Sequence, residues 1–253
     1  MNARGVVVER PEIFSDHPEI CCAVSTRKSG ISPEPYGMNL SFHIGDGRSN
    51  VLKNRELFFG SLNIRLDRLA ILHQVHGNTV RFARTAGEFD SCDGLITDAS
   101  GIYLVVTLAD CLPIFMFDPV SRSIAAVHAG WRGSKLRIVS AAIELWTEEL
   151  GIQAKNLIAY IGPGASVCCY EVGEDLAGEF NDRFLKKSSG RKPHLDLKGL
   201  NRELLLEAGV IPKNIEISGS CTICQPELFH SYRRDGRQSG RMMGVLGLRE
   251  TLN

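Results

Sequence analysis

The chain has 253 residues, of which 43% are hydrophobic, 7% aromatic and 23% charged, a composition that excludes disordered, collagen-like and coiled-coil chains. Its 29 basic and 29 acidic residues cancel, so no charge surplus draws it to a polyanion and nucleic acid is not an expected partner. A membrane helix needs roughly 18 consecutive apolar residues. The nearest approach, residues 103–117, is interrupted by Asp110 and Pro113, so no membrane partner is expected, and the short apolar stretch at 6–8 is no signal peptide, which points to the cytoplasm.

In chain order, the short apolar run 21–26 predicts a strand. Residues 27–46, with Pro33, Pro35 and glycines 30, 37 and 45, predict a functional loop, because periodic segments resume on either side. A strand over 80–83 follows the tight His76-Gly77-Asn78 turn. Residues 103–108 and 114–117 are β-branched and aromatic, and the turn 118–121 leads into 123–128, which predicts a hairpin of buried strands. Beyond Gly133, Leu136, Val139, Ile143, Trp146 and Leu150 recur at helical steps and Gly151 supplies the stop. Helices are also expected over 174–187 and 197–208, the latter ended by Gly209, and strands over 157–161, 214–218 and 242–248. Strands outnumber helices without alternating regularly with them, which predicts an α+β fold of layered mixed β-sheets flanked by helices, in a single domain over 1–253. No G-x-G-x-x-G opens a helix and no Walker glycine-lysine motif occurs.

The eight cysteines lie in a chain too rich in core residues to need disulfide staples. The adjacent pairs Cys21-Cys22 and Cys168-Cys169 read as buried free thiols in apolar strands. Cys221 and Cys224 form a C-x-x-C, a weak signal alone, because a zinc knuckle needs a second pair; a structural role is the simpler reading.

Reactive side chains concentrate beside glycines in three segments, 72–77, 108–113 and 127–133, each at the end of an expected strand. His76, Cys111 and His128 have the donor chemistry of a zinc site with one open position, which activates water or polarises a substrate atom. The same residues also fit a cysteine hydrolase or amidase, with Cys111 as nucleophile and His128 as base, or structural histidines beside a buried thiol. His73 competes with His76 as ligand, but positions three apart in an extended segment face opposite ways, and the glycine after His76 permits close approach. Asp110 is a candidate proton relay or an orienter of a ligand histidine. Arg27, Arg132, Arg233 and Arg234 are candidates for holding phosphate; a helix opening near Ser134 would add backbone donors beside Arg132, and the rival reading of 233–235 is a solvated basic turn paired with Asp235.

Taken together, Thr26-Arg27, Asn54-Arg55, Gln74-Val75-His76-Gly77, Cys92-Asp93-Gly94, Ala109-Asp110-Cys111, His128-Ala129-Gly130-Trp131-Arg132-Gly133, Ile161-Gly162-Pro163, Cys221-Thr222 and the stretch 229–236 resemble, in the same order, the YfiH-like family, also described as laccase-domain or polyphenol oxidase proteins. The loop after Arg27 departs from that pattern, reading Lys28-Ser29-Gly30 where the family often has a glycine pair. The resemblance implies one zinc held by His76, Cys111 and His128. It further implies phosphorolysis of purine nucleosides (adenosine, inosine, methylthioadenosine) to free base and ribose 1-phosphate, with phosphate as co-substrate and adenosine deamination alongside. A laccase would need several copper ions and many histidines, and seven scattered ones do not supply those clusters. A monomer or small homo-oligomer is expected, and a nucleotide-binding protein without turnover is the non-enzymatic alternative.

Overall fold

The structure, a computed structural model, describes residues 5–250. Two six-stranded mixed sheets stack face to face. The first runs, edge to edge, Val8–Glu9, Ile20–Ser25, Met242–Leu248, Tyr103–Leu108, Leu69–His73 and Gly87–Asp90; the second runs Ile215–Ile217, Ile158–Ile161, Leu112–Asp118, Ser123–Ala129, Gly94–Thr97 and Val80–Phe82. A two-stranded ribbon pairs Leu185–Lys186 with His194–Leu195.

Both faces of each sheet are covered, which is why the central strands read as unbroken apolar runs. Alternate side chains go to different cores. Ile20, Cys22 and Val24 join Leu104, Val106, Phe115, Phe117 and Tyr160 between the sheets, while Cys21 and Ala23 pack with Phe58 and Phe59 of the helix Arg48–Ser61. On the far side of the second sheet, Ile114, Met116 and Val127 pack against Ile143 and Trp146 of the helix Ile138–Leu150 and Leu204 and Leu205 of the helix Leu197–Glu207. The layers are therefore helix, sheet, sheet, helices, as the α+β reading expects. No helix among the described residues is long and apolar enough to cross a membrane.

Local sequence explains where the elements differ from expectation. The helix begun after Gly133 is two helices, Trp131–Lys135 and Ile138–Leu150, broken at Arg137, whose φ of 58° lies in the left-handed region. Of the helix expected over 174–187 only Glu174–Ala177 forms; the Asn181 side chain then caps a 3-10 turn, Asp182–Phe184, and the chain enters the ribbon. Cys21 and Cys22 are buried in a strand as expected, but Cys168 is exposed and Cys169 half-buried in the turn 167–169, where Cys169 and Tyr170 N–H groups both donate to the Ser166 carbonyl.

Trp146 is fully buried and donates through Nε1 to the Ser123 hydroxyl at 2.7 Å. Trp146→Ala should lower stability by about 3–5 kcal/mol, read as a lower denaturant midpoint at unchanged slope; a shift below a third of that would mean the helix layer contributes little to the core.

Candidate active site

Four chain segments converge at one end of the stacked sheets. His76 follows the strand Leu69–His73, Asp93 precedes Gly94–Thr97, and His128 lies near the end of Ser123–Ala129, opposite Pro113. Cys111 sits in the link 109–111, where the chain passes from Tyr103–Leu108 in the first sheet to Leu112–Asp118 in the second. The ligating atoms of His76, Cys111 and His128 lie within 4.8 Å of one another. His76 and Asp110 hold positive φ angles of 61° and 87°, unusual for residues with a side chain and the kind of backbone strain that gathers at functional sites. Gly130 keeps the cluster tight, since a Cβ there would stand 2.9 Å from the Cys111 sulfur.

Asp93 organises this cluster. Its carboxylate is fully buried and accepts the N–H groups of Val75 (3.1 Å), His76 (2.9 Å) and Gly77 (2.8 Å), and Nδ1 of His128 lies 2.8 Å from Oδ1. Burial favours its neutral form, but the hydrogen bonds from His128, Gly77 and Val75 prevail and hold its pKa below the ordinary value. With Nδ1 of His128 held by Asp93, Nε2 is the ring nitrogen left to the cluster. Burial likewise opposes a charged Cys111, yet His128 and His76 draw that thiol down, and Cys111 and Asp93 raise His128 against its own burial. Two imidazole nitrogens and a thiolate within mutual reach suit zinc, with the cleft side left for a further group.

The cluster floors a cleft of about 1290 Å³ lined by four arginines. Arg132 stacks on Trp131 (4.7 Å), Arg233 on Tyr170 (5.2 Å), Arg241 on Tyr232 (5.3 Å) and Arg55 on Phe42 (4.2 Å). Arg55 and Arg241 are both shifted down, chiefly by burial. Among the described residues no carboxylate forms an ion pair with any of the four. The helix carrying Arg132 starts at Trp131 and is barely one turn long, so what it presents to the cleft is the guanidinium rather than the donor-rich end of a long helix.

Two of the four arginines expected to meet here do not line the cleft. Arg27 spends its fork on Glu34 and the Pro35 and Pro226 carbonyls, and Arg234 on Asp235 and the Thr222, Ile223 and Phe229 carbonyls. Both tie loops together. Asp110 lines the cleft, but its oxygens accept the Thr222 hydroxyl (2.7 Å) and the Arg233 N–H (2.6 Å), and the carboxylate that holds a histidine of the cluster is that of Asp93 instead. His73 stands at the mouth with Nε2 and Nδ1 each 3.1 Å from Glu88 and Asp90, outside the donor cluster. Asp93 and Arg55 were missed as residues of this cleft, although Cys92-Asp93-Gly94 and Asn54-Arg55 stood among the matched motifs; the signal was there without a role attached.

The family profile described as multi-copper polyphenol oxidoreductase laccase matches residues 21–249. A purine nucleoside phosphorylase of Deinococcus radiodurans is 39% identical over 98% of this chain and 95% of its own length. The adenosine deaminase RL5, from an unknown prokaryotic organism, is 33% identical over 81% of this chain and 84% of its own. The crystal structure of YlmD from Geobacillus stearothermophilus superposes with a TM-score of 0.89 at 31% identity, covering 99% of this chain and 98% of that one.

Exchange of Asp93 for Asn keeps the shape but breaks the tautomer logic, and should weaken metal binding roughly 10–100-fold. His76→Ala should lose bound metal while His73→Ala keeps it, both read by elemental analysis of purified protein. The reverse ranking would move the first ligand to His73.

Proposed function

The chain belongs to the family described as multi-copper polyphenol oxidoreductase laccase, and from that premise we propose that it is a cytoplasmic zinc-dependent purine nucleoside phosphorylase that also deaminates adenosine, with residues 1–253 acting as one catalytic unit. The observation that carries this reading is the His76–Cys111–His128 donor set at the floor of a cleft walled by arginines stacked on aromatic rings. The names of relatives over nearly the whole chain support it. Multi-copper oxidation fits less well, because a laccase needs several histidine clusters and only His76 and His128 of the seven histidines join a donor set among the described residues.

When bound, zinc supplies a Lewis acid with one position open to water or a substrate atom. The chain's own residues do the remainder. Asp93 fixes the His128 ring, and His128 and His76 keep Cys111 anionic at neutral pH. Tyr232, half exposed at the cleft, offers a face on which a purine stacks. Arg132 and Arg233 offer planar forks to phosphate, bringing its oxygen to the anomeric carbon as the bond to the purine nitrogen breaks and that nitrogen takes up a proton. Deamination needs only water at the purine carbon bearing the amine, with ammonia leaving, and no phosphate.

One observation favours a second reading. Cys111, His128 and Asp93 form a thiolate–imidazole–carboxylate series, the arrangement of a cysteine hydrolase. Chelation separates the two, since a hydrolase of that kind would survive zinc removal and the phosphorylase would not.

Purified enzyme given adenosine with phosphate should yield adenine and ribose 1-phosphate, and without phosphate inosine and ammonia. Arg132→Lys keeps the charge but loses the fork, so phosphorolysis should fall at least tenfold (about 1.4 kcal/mol) while deamination falls less. Equal loss of both would make Arg132 a structural residue; absence of either product from folded, zinc-loaded enzyme would overturn the activity.

A further inference from the structure

Behind the cleft wall lies a second group of soft ligands. The sulfurs of Cys168, Cys169, Cys221 and Cys224 all lie within 4.8 Å of one another, and those of Cys168 and Cys224 are 3.9 Å apart. A disulfide would bring two sulfurs to about 2.05 Å. A tetrahedron of zinc–sulfur bonds of about 2.3 Å has sulfur–sulfur edges of about 3.8 Å. The Cys168–Cys224 spacing is that of such an edge and not of a bonded pair, and the other two sulfurs lie within the same reach. Adjacent cysteines in a strand would point to opposite faces, and the turn at 167–169 is what lets Cys168 and Cys169 converge. They supply the second pair that the C-x-x-C at 221–224 lacks when read alone.

The surroundings suit an anionic centre. Four thiolates around a dication leave two negative charges, and a buried cation stands nearby. Lys198 is 7% exposed, its ammonium donates at 2.7 Å to the Ser218 and Ser220 carbonyls, and no carboxylate among the described residues forms an ion pair with it. Burial lowers its pKa, and Glu9, then Cys221 and Cys168, act against that. A buried ammonium without an ion-paired carboxylate is costly, and a dianionic centre nearby offsets part of the cost.

We infer that Cys168, Cys169, Cys221 and Cys224 form a second zinc site, a closed tetrathiolate centre that clips two loops of the cleft wall together. The loops lie far apart in sequence and join otherwise through the Gly164–Cys221 bridge and the Thr222 N–H on the Gly164 carbonyl. Both reach the catalytic cluster: Thr222 donates to Asp110, the Ala165 N–H donates to the Asp110 carbonyl, and Tyr170 lines the cleft. The centre has no open position and no part in the chemistry. It positions the wall that holds Asp110 and Tyr170.

Metal content tests this independently of the proposed activity. Wild-type enzyme purified under reducing conditions should carry about two zinc ions per chain, and Cys111→Ala, which removes a ligand of the first site, about one. The Cys168→Ser/Cys224→Ser double variant should also fall by about one and melt at lower temperature. Cobalt is the second probe, independent of how that variant folds: cobalt-loaded Cys111→Ala should show the intense sulfur-to-metal charge transfer and visible bands of a tetrahedral tetrathiolate. Folded, reduced Cys111→Ala that binds neither zinc nor cobalt would overturn the second site, as would intact-mass and peptide analysis finding a Cys168–Cys224 disulfide in active enzyme. Two zinc ions in a protein that turns over no nucleoside would leave this site standing and sink the phosphorylase reading.

Discussion

The buried carboxylate of Asp93 is the constraint on which the site depends. A charge removed from water is tolerated only when its oxygens are satisfied, and here three consecutive backbone N–H groups and one imidazole do so. Those N–H groups belong to residues 75–77, so one side chain fixes the loop that carries His76 and the ring of His128 at once. The second sheet is tied in as well, because the His128 N–H donates to the Asp93 carbonyl at 2.7 Å. Removing the carboxylate would leave several donors unpaired in a low-dielectric site, where each such loss costs about 1–3 kcal/mol.

The stacked sheets make that convergence possible. A strand buried on both faces is held by close packing against two cores, which fixes where its ends lie. The link 109–111 is short because the sheets are already in contact. Asp110 absorbs the turn with a left-handed backbone and then uses its side chain to fasten Thr222 and Arg233 to the link. Positioning and strain thus fall on the same residue, one step from the cysteine in the donor cluster.

The doubly buried strands were legible because burial on both faces leaves a run of apolar residues that nothing else explains. The helix Arg48–Ser61 was not legible. Its inward positions are Val51, Asn54, Phe58 and Phe59, a helical spacing interrupted by a polar residue, and Gly47 before it gives no side-chain cap. Asn54 is buried because its amide meets Ser32, Gly37, Asn39 and the Ile31 N–H, partners that only the folded loop assembles. The same reason hid Asp93, whose role is to backbone groups rather than to a motif of side chains. Cys168 and Cys169 were misplaced because adjacency of two small apolar residues reads as strand, and the turn that brings them to Cys221 and Cys224 depends on a long-range contact.

The arginines mark the limit of reading residue type without geometry. Arg27, Arg132, Arg233 and Arg234 all sit beside glycines or in polar loops, and nothing local separates them. In the fold, Arg27 and Arg234 find carbonyls and a carboxylate matching their forks and become braces, whereas Arg132 and Arg233 stack on aromatic rings, form no ion pair among the described residues and line the cleft. Charge balance gives the second pair its purpose in the proposed reaction. Were zinc held there as proposed, Asp93 and Cys111 would cancel its two positive charges, and the centre as a whole would have no net attraction to spare for an incoming phosphate. A chain of zero net charge supplies none at long range either. In the proposed reaction the attraction must come from the guanidinium groups of Arg132 and Arg233 lining the cleft, which form no ion pair with a carboxylate among the described residues and offer charge-assisted hydrogen bonds to phosphate oxygens.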